Sequence, residues 1–347
     1  MANVITNLLL PNVMLDVNPA GFGRLENRMS HYGALNTFYN NTPLLFDAET
    51  LAKIRAIPYT RTIQIPVLNG VDWTIITVRT CAITTQALGA TLKTVVRFHV
   101  EFDVDIIPSE YQNNYVTYQA ALAAKIKNAK KAVYKYLDQM CATFLDANKE
   151  TTQTIGANLL YTGVAGEYQV PKLIDFYNNL GAIMEMMDTE GPYFDIANTA
   201  ALADQNWLNN PGGGAIYDTA AIKKAANIAE FDYTNRISPG AGQRGIHYVG
   251  PMGSIGIVNF IDFDYQGLPD LNAIDVTDEK DISDVRFWGR INDNVYPTWE
   301  WGTQQLLDCT GGAKSYGVKH AADFALFADF TRVAGESPIK RFSVMNA

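Results

Sequence analysis

The stretch "SPGAGQRGIHYVGPMGSIGIVNFID", Ser238 to Asp262, decides between two fold classes. Gly240, Gly242 and Gly245 stand in the spacing G-x-G-x-x-G, and Asp262 follows about 20 residues on, as in a dinucleotide-binding unit. That unit needs an apolar strand before the first glycine and a helix opening at the last, whose free amides and dipole hold a pyrophosphate. Here "FDYTNRISP" precedes the glycines, polar and ending in Pro239. Gly250, Pro251, Gly253 and Gly256 follow and forbid the helix. The stretch therefore reads as turns feeding a strand over 255–261, with Asp262 at its end and no ribose to hold. No cofactor is expected.

Working outward, the chain has 347 residues, 48% of them hydrophobic, enough for one large domain or two to three lobes. No apolar run approaches the ~20 residues of a membrane span. The start, "MANVITNLLLPNVMLDVN", lacks a basic opening and is broken by Pro11, so no signal peptide is expected. A formal net charge of -9 disfavours sequence-directed nucleic-acid binding. Cys81, Cys141 and Cys309 lie far apart, and so do His31, His99, His247 and His320. Neither a disulfide framework nor a zinc site is suggested.

Upstream, the first 50 or so residues carry little periodicity and many turn formers, and read as an arm running over something else, such as another subunit. From Tyr59 the texture becomes β, with Asn69-Gly70 between two strand-like runs, a hairpin signal. Pro66 beside it lacks a ladder donor and belongs at an edge. "RFHVEFDVDI" alternates fully: Phe98, Val100, Phe102, Val104 and Ile106 face one side, and Arg97, His99, Glu101, Asp103 and Asp105 the other. His99 is read as a solvated member of the polar face. Pro108 ends the strand, and Ser109 with Gln112 forms a capping box. The helix that follows runs to about Asn148 on the stripe Tyr118, Leu122, Ile126, Ala129, Val133, Leu137, Met140, Phe144. One flank carries Lys125, Lys127, Lys130, Lys131 and Lys135, with no acid between Tyr111 and Leu137. This flank is either a solvated face or a basic stripe meeting a polyanion or an acidic neighbour.

Downstream of Gly156 the pattern is mixed α/β. "VPKLIDFYNNLGAIMEMMDTEG" reads as a helix from Pro171 to Gly191, its Met184, Met186 and Met187 filling core. "YFDIANTAALADQ" reads as a strand then a short helix, and "TAAIKKAANIAEF" as another helix. The loop "NNPGGG", Asn209 to Gly214, is followed by Ala215-Ile216 and not by Gly-Lys-Ser/Thr, so it is no phosphate loop. "DVTDEKD", Asp275 to Asp281, is acidic enough for a weak cation site but lacks the glycine of an EF-hand. No G-x-S-x-G or HExxH occurs, so no catalytic residue and no metal ligand is nominated. The aromatic run "FWGRINDNVYPTWEW", Phe287 to Trp301, suits sugar stacking or a protein interface, with the interface favoured.

In order, these parts are an arm, a long hairpin, an alternating strand, one over-long helix, a mixed α/β lobe and closing strands. That order resembles the major capsid proteins of tailed bacteriophages, with their α+β Hong Kong 97-like fold. "RGIHYVGPMGSIGIVNFIDFDYQGLPD" is similar to the family's axial-domain stretch, in which a glycine turn leads to an apolar strand and a Leu-Pro pair, here Leu268-Pro269. "HAADFALFADFTRVAGESPIKRF" is similar to its closing peripheral-domain strands. The resemblance implies an N-terminal arm over 1–55 and an extended-loop hairpin with a peripheral strand over 56–107, the loop itself at about 59–83. It implies a spine helix within 108–155, an axial domain over 156–315 with an insertion at 270–311, and closing strands over 316–347.

The implied function is self-assembly, as hexamers and pentamers, into the icosahedral shell around a double-stranded DNA genome. The chain would be a non-enzymatic virion protein assembled in the host cytoplasm. Its implied partners are a separate scaffolding protein, a portal, decoration proteins and, without sequence preference, the packaged DNA. Subunit contacts are expected at Asn69, Gly70, Trp73, Asn209, Pro211, Gly213, Trp288, Trp299 and Trp301. The lysine flank is expected to face the lumen. An encapsulin-type nanocompartment, a carbohydrate-binding or adhesive protein using Trp288, Trp299 and Trp301, and an enzyme of unrecognised class stand as alternatives.

Overall fold

The computed structural model describes residues 32–56, 62–68, 90–107, 118–151, 162–164, 166–170, 173–186, 189–208, 223–224, 226–268, 270, 288–308, 315–329 and 337–345. Two helices lead: α1 (Gly33–Leu45) and α2 (Ala48–Arg55). Strands β1 (Thr62–Leu68), β2 (Ala90–Val96) and β3 (Phe98–Ile106) precede the long helix α3 (Tyr118–Ala147). Then come β4 (Thr162–Val164), β5 (Glu167–Val170), α4 (Leu173–Met186), β6 (Tyr193–Asn198), α5 (Thr199–Leu208) and β7 (Ile228–Thr234). The chain closes through β8 (Gln243–Pro251), β9 (Ile255–Phe260), β10 (Trp288–Asn292), β11 (Glu300–Asp308), β12 (Ser315–Ala328) and β13 (Lys340–Met345).

The deciding stretch is two strands joined by turns. Gly242 sits at φ +77°, a backbone state that glycine reaches without a Cβ penalty, and β8 begins at the next residue. β8 is central to a six-stranded sheet of order β4-β5-β13-β8-β6-β7. β9 instead joins a second sheet, pairing antiparallel with β12, which also pairs with β3 and β11. That sheet continues from β12 through β11 to β10. The expected alternation of β3 holds: Val100, Val104 and Ile106 are buried, while His99, Glu101, Asp103 and Asp105 are exposed.

The main core draws on both sheets and both long helices. Phe194, Ile196, Ile246 and Tyr248 meet Val133, Leu137, Cys141 and Leu145 of α3, Leu35 and Phe38 of α1, and Trp299, Trp301 and Phe324. α3 spans 30 residues in the structure, about 45 Å, and buries the predicted Ile126, Val133 and Leu137. Ser109 and Gln112 of the expected cap lie outside the described residues. At the far end of α3 the buried Lys340 donates to Glu150 at 3.2 Å, anchoring β13.

Several expectations need correction. Residues 33–55 are helical, and α1 is core rather than arm: Ala34, Leu35 and Phe38 are fully buried. Its sequence hides this because Asn and Thr are weak helix formers. Here Thr37, Asn41 and Thr42 donate to the carbonyls four residues back, so the buried polar groups are satisfied within the helix. The helix read over 219–231 ends early. Asn227 turns at φ 59°, and Ile228 opens β7.

β1 pairs with β2 along its whole length, Leu68 opposite Ala90, so the ribbon extends to Val96 and not to Ile83. β10 and β11, within the segment expected as an insertion, extend the same sheet as β3. β13, expected among closing peripheral strands, pairs with β5 and β8, whereas β9 to β11 share a sheet with β3. Linear segments of this chain therefore do not correspond one to one with its sheets.

Candidate functional site

Three places outside ordinary core packing carry chemistry or contact surface. The first is the ribbon. At its root Ile63 and Val95, direct cross-strand partners, are buried in a small cluster with Ile54, Val258 and Phe327. On the opposite face of β2, Leu92 and Val96 are 63% and 62% exposed. Two large apolar side chains on one face of a two-stranded ribbon leave a surface that water solvates poorly.

The second is the lysine flank of α3. Lys131 and Lys135 are exposed, Lys127 is half-buried, and Lys125 is exposed and donates to the Asp105 carbonyl at 2.6 Å. Lys130 does not belong to this face. It is 4% exposed, and its Nζ lies 3.7 Å from Asp293 inside the subunit. Helical geometry explains the difference, because Lys130 shares the inward stripe with Ile126, Val133 and Tyr134.

The third is a polar cluster across three neighbouring strands, β3, β12 and the end of β9. Asp323 on β12 lies directly opposite His99 on β3 and Phe260 on β9, and Asp262 follows Phe260 by two residues. His99 Nδ1 is 2.8 Å from Asp323 Oδ1 and 3.1 Å from Asp262 Oδ2. Its Nε2 is 3.2 Å from Glu101, which in turn accepts from Lys319 at 2.7 Å. Burial by itself depresses the His99 pKa, but hydrogen bonds to Asp323 and Glu101 outweigh it and raise the pKa overall. The Asp323 carboxyl is pushed up by burial, against the pull of His99. Lys319 and His99 hold the Glu101 carboxyl below its ordinary value. A cavity of about 180 Å³ beside the cluster is lined by His99, Glu101, Asp262, Asp264, Tyr265 and Lys319, among others. His99 is therefore no merely solvated residue, and Asp262 is more than a strand end.

The expected contact residues divide. Trp299 and Trp301 are 1% and 0% exposed, and pack on Tyr39, Tyr296, Phe102 and Phe324. Trp301 Nε1 donates to Asp293 at 2.7 Å. Asp293 also accepts from Tyr134 Oη at 2.8 Å and from the backbone amides of Val295 and Tyr296. These two tryptophans are core, which corrects their assignment to an interface and removes them as sugar-stacking platforms. Asn69, Gly70, Trp73, Asn209, Pro211 and Gly213 lie outside the described residues, as does the acidic stretch 275–281. Trp288 opens β10, with its side chain likewise outside. Leu92, Val96 and Asp323 were missed. The first two sit in an ordinary strand pattern, and no spacing links residue 323 to residues 99 and 262.

No family model and no curated protein matches this sequence. Solved structures do. One from Mycobacterium phage Che8 aligns with a TM-score of 0.50 at 10% identity, over 88% of this chain and 90% of that one. The capsid of cyanophage P-SCSP1u aligns at 0.48 and 13% identity, over 84% and 85% of the two chains. The capsid of Ralstonia phage GP4 aligns at 0.47 and 8% identity, over 83% and 84%. At such identities the likeness is one of fold alone.

Proposed function

We propose that this chain is the major capsid protein of a tailed bacteriophage, a structural subunit that assembles with copies of itself into the icosahedral shell around double-stranded DNA. The carrying observation is the near end-to-end fold likeness to a phage structure, 88% of this chain against 90% of the other. A match of that extent spans most of the chain and not one module within it.

The ribbon supports the same reading. It exposes Leu92 and Val96, while its root is held by Ile63 and Val95 in its own subunit, so one face is anchored at the root and the opposite face is apolar and exposed. Burying what these two side chains still expose contributes about 2–4 kcal/mol per contact site. Repeated around a shell, contacts of this size sum to a stable assembly. Within this reading β1–β2 is the extended loop, α3 the spine helix, and Lys127, Lys131 and Lys135 a basic stripe toward the lumen. Those lysines would touch packaged DNA without sequence preference, and the acidic remainder of the chain would keep that contact weak enough for the genome to leave. Hexamers and pentamers, a separate scaffolding protein, a portal and decoration proteins belong to the same proposal, as does assembly in the host cytoplasm.

The test is negative-stain electron microscopy of the expressed chain, alone and with the products of its neighbouring genes. Closed shells, tubes or hexameric sheets are expected. A persistent monomer with every neighbouring product present would overturn the reading. Shells that fill with a cargo enzyme and never with DNA would replace it by a nanocompartment.

A further inference from the structure

The His99 cluster has the construction of a metal site. On one side of the imidazole, Nε2 meets Glu101, and Glu101 is held by Lys319. On the other side, Nδ1 faces two carboxylates at 2.8 and 3.1 Å. A neutral imidazole that donates from Nε2 to Glu101 turns a lone pair toward two anions. A doubly protonated ring offers one hydrogen at Nδ1 for both. In either state at least one carboxylate contact at Nδ1 goes without a donor. Asp323 has little access to water: its side chain is 3% exposed, His99 Nδ1 is the hydrogen-bond partner seen among the described residues, and the Arg97 charge acts on it as well. Asp262 is fixed as well, because its second oxygen accepts the Asp264 backbone amide at 2.9 Å.

We propose that His99 Nδ1, Asp323 and Asp262 bind a divalent transition-metal ion such as Zn²⁺ or Mn²⁺, with Glu101 as the outer carboxylate orienting the histidine. The three ligand atoms lie within 4.8 Å of one another. An ion bonded at about 2.0–2.2 Å places neighbouring ligands roughly 2.8–3.1 Å apart in octahedral and 3.3–3.6 Å apart in tetrahedral geometry, and the two nitrogen–oxygen separations here, 2.8 and 3.1 Å, match the octahedral spacing. A ring nitrogen beside two carboxylates selects this class over Ca²⁺ or Mg²⁺, which take oxygen ligands. A carboxylate on the far nitrogen is the usual partner of a ligating histidine, fixing its tautomer. The adjoining cavity of about 180 Å³ leaves room for water to complete the shell. The ion would tie three strands, β3, β12 and the end of β9, across one row of the sheet.

The experiment titrates the purified full-length chain, freed of metal by chelator, with ZnCl₂ or MnCl₂ by calorimetry, and with CoCl₂ by visible absorption. One equivalent per chain is expected, with a rise in Tm that grows with metal concentration. Asp262→Asn, at a partly exposed position, and His99→Ala should abolish stoichiometric binding while keeping the native circular dichroism. Glu101→Ala should weaken binding about 10–100-fold. No stoichiometric binding of any of the three ions would overturn the proposal, as would binding left intact by both Asp262→Asn and His99→Ala. If either variant fails to fold, the cobalt spectrum of the wild-type chain still decides, since nitrogen–oxygen ligation is expected and its absence refutes the site.

Discussion

Two parts of this molecule are rich in large apolar side chains, and they do opposite things with them. Around Asp293, Tyr134, Tyr296, Trp299 and Trp301 close on a carboxylate whose acceptor positions are filled, and nothing of the tryptophans reaches the surface. On the β1–β2 ribbon, Leu92 and Val96 stay largely exposed among the described residues. Reading residue types would place the interface at the tryptophans, because Trp and Tyr anchor protein contacts. The structure assigns them to the subunit's own stability and leaves the aliphatic ribbon face exposed. A residue type suited to an interface is equally suited to a core, and only burial separates the two uses.

If that division is right, substitutions should split between folding and assembly. The largest effect on the isolated subunit is expected from Trp301→Ala or Asp293→Ala, each destabilising by about 3–5 kcal/mol in urea unfolding. The first opens a cavity, and the second leaves Tyr134, Trp301 and two amides without an acceptor. Unfolding midpoints unchanged by either would return Trp301 to the interface.

A smaller effect, dependent on pH, should come from the seam between α1, α3 and β7. Burial raises the Asp138 pKa from its ordinary value to about 6, against hydrogen bonds from Thr234 and the Leu35 amide. Because the folded state binds this proton more tightly than the unfolded chain, stability falls as pH rises through about 6, by up to about 3 kcal/mol. Asp232 is raised to about 6 by burial too, and adds in the same direction. Asp138→Asn should flatten the profile between pH 4 and 7 (roughly the interval from the ordinary to the shifted value). A slope as steep as wild type in that variant would place the titration elsewhere.

Leu92→Asp with Val96→Asp should shift subunit unfolding by no more than about 0.5 kcal/mol, as exposed positions do. The same pair should abolish shells under the microscope, and normal shells from it would release the ribbon from its proposed role. Smallest for the subunit, and confined to the filled particle, is the charge reversal Lys127→Glu, Lys131→Glu, Lys135→Glu. Folding should be unchanged within a similar margin, while DNA packaging or assembly declines. Filled, infectious particles at wild-type yield would show these lysines to be an ordinary solvated face.

Much of the fold was legible wherever one residue pattern has one physical outcome. Strict alternation in 98–106 produced β3, the three-to-four spacing of Ile126, Val133 and Leu137 produced the buried stripe of α3, and Pro251 with three glycines denied a helix after Gly245. α1 was illegible because its stabilising bonds run from Thr and Asn side chains to its own carbonyls, and because Asn41 and Thr42 also reach Gly253 and Ile257. Those last bonds span more than 200 residues and leave no local trace. The cluster at His99 was illegible for a related reason. Each of its members is an unremarkable polar residue until antiparallel pairing sets Asp323 between His99 and the strand that leads to Asp262.

By itself, then, the sequence determined the periods: which segments are strands, which is the long helix, where glycine and proline forbid continuation, and that the glycines before Asp262 hold no nucleotide. These are local consequences of backbone sterics and hydrophobic spacing, and need no partner to be expressed. Tertiary structure alone decided which aromatic residues became core, which lysine turned inward, where the ribbon ends, and that His99, Asp262 and Asp323 meet. Each of those depends on strand register and helix docking, set by the summed burial of distant segments, and no short window of residues contains that sum.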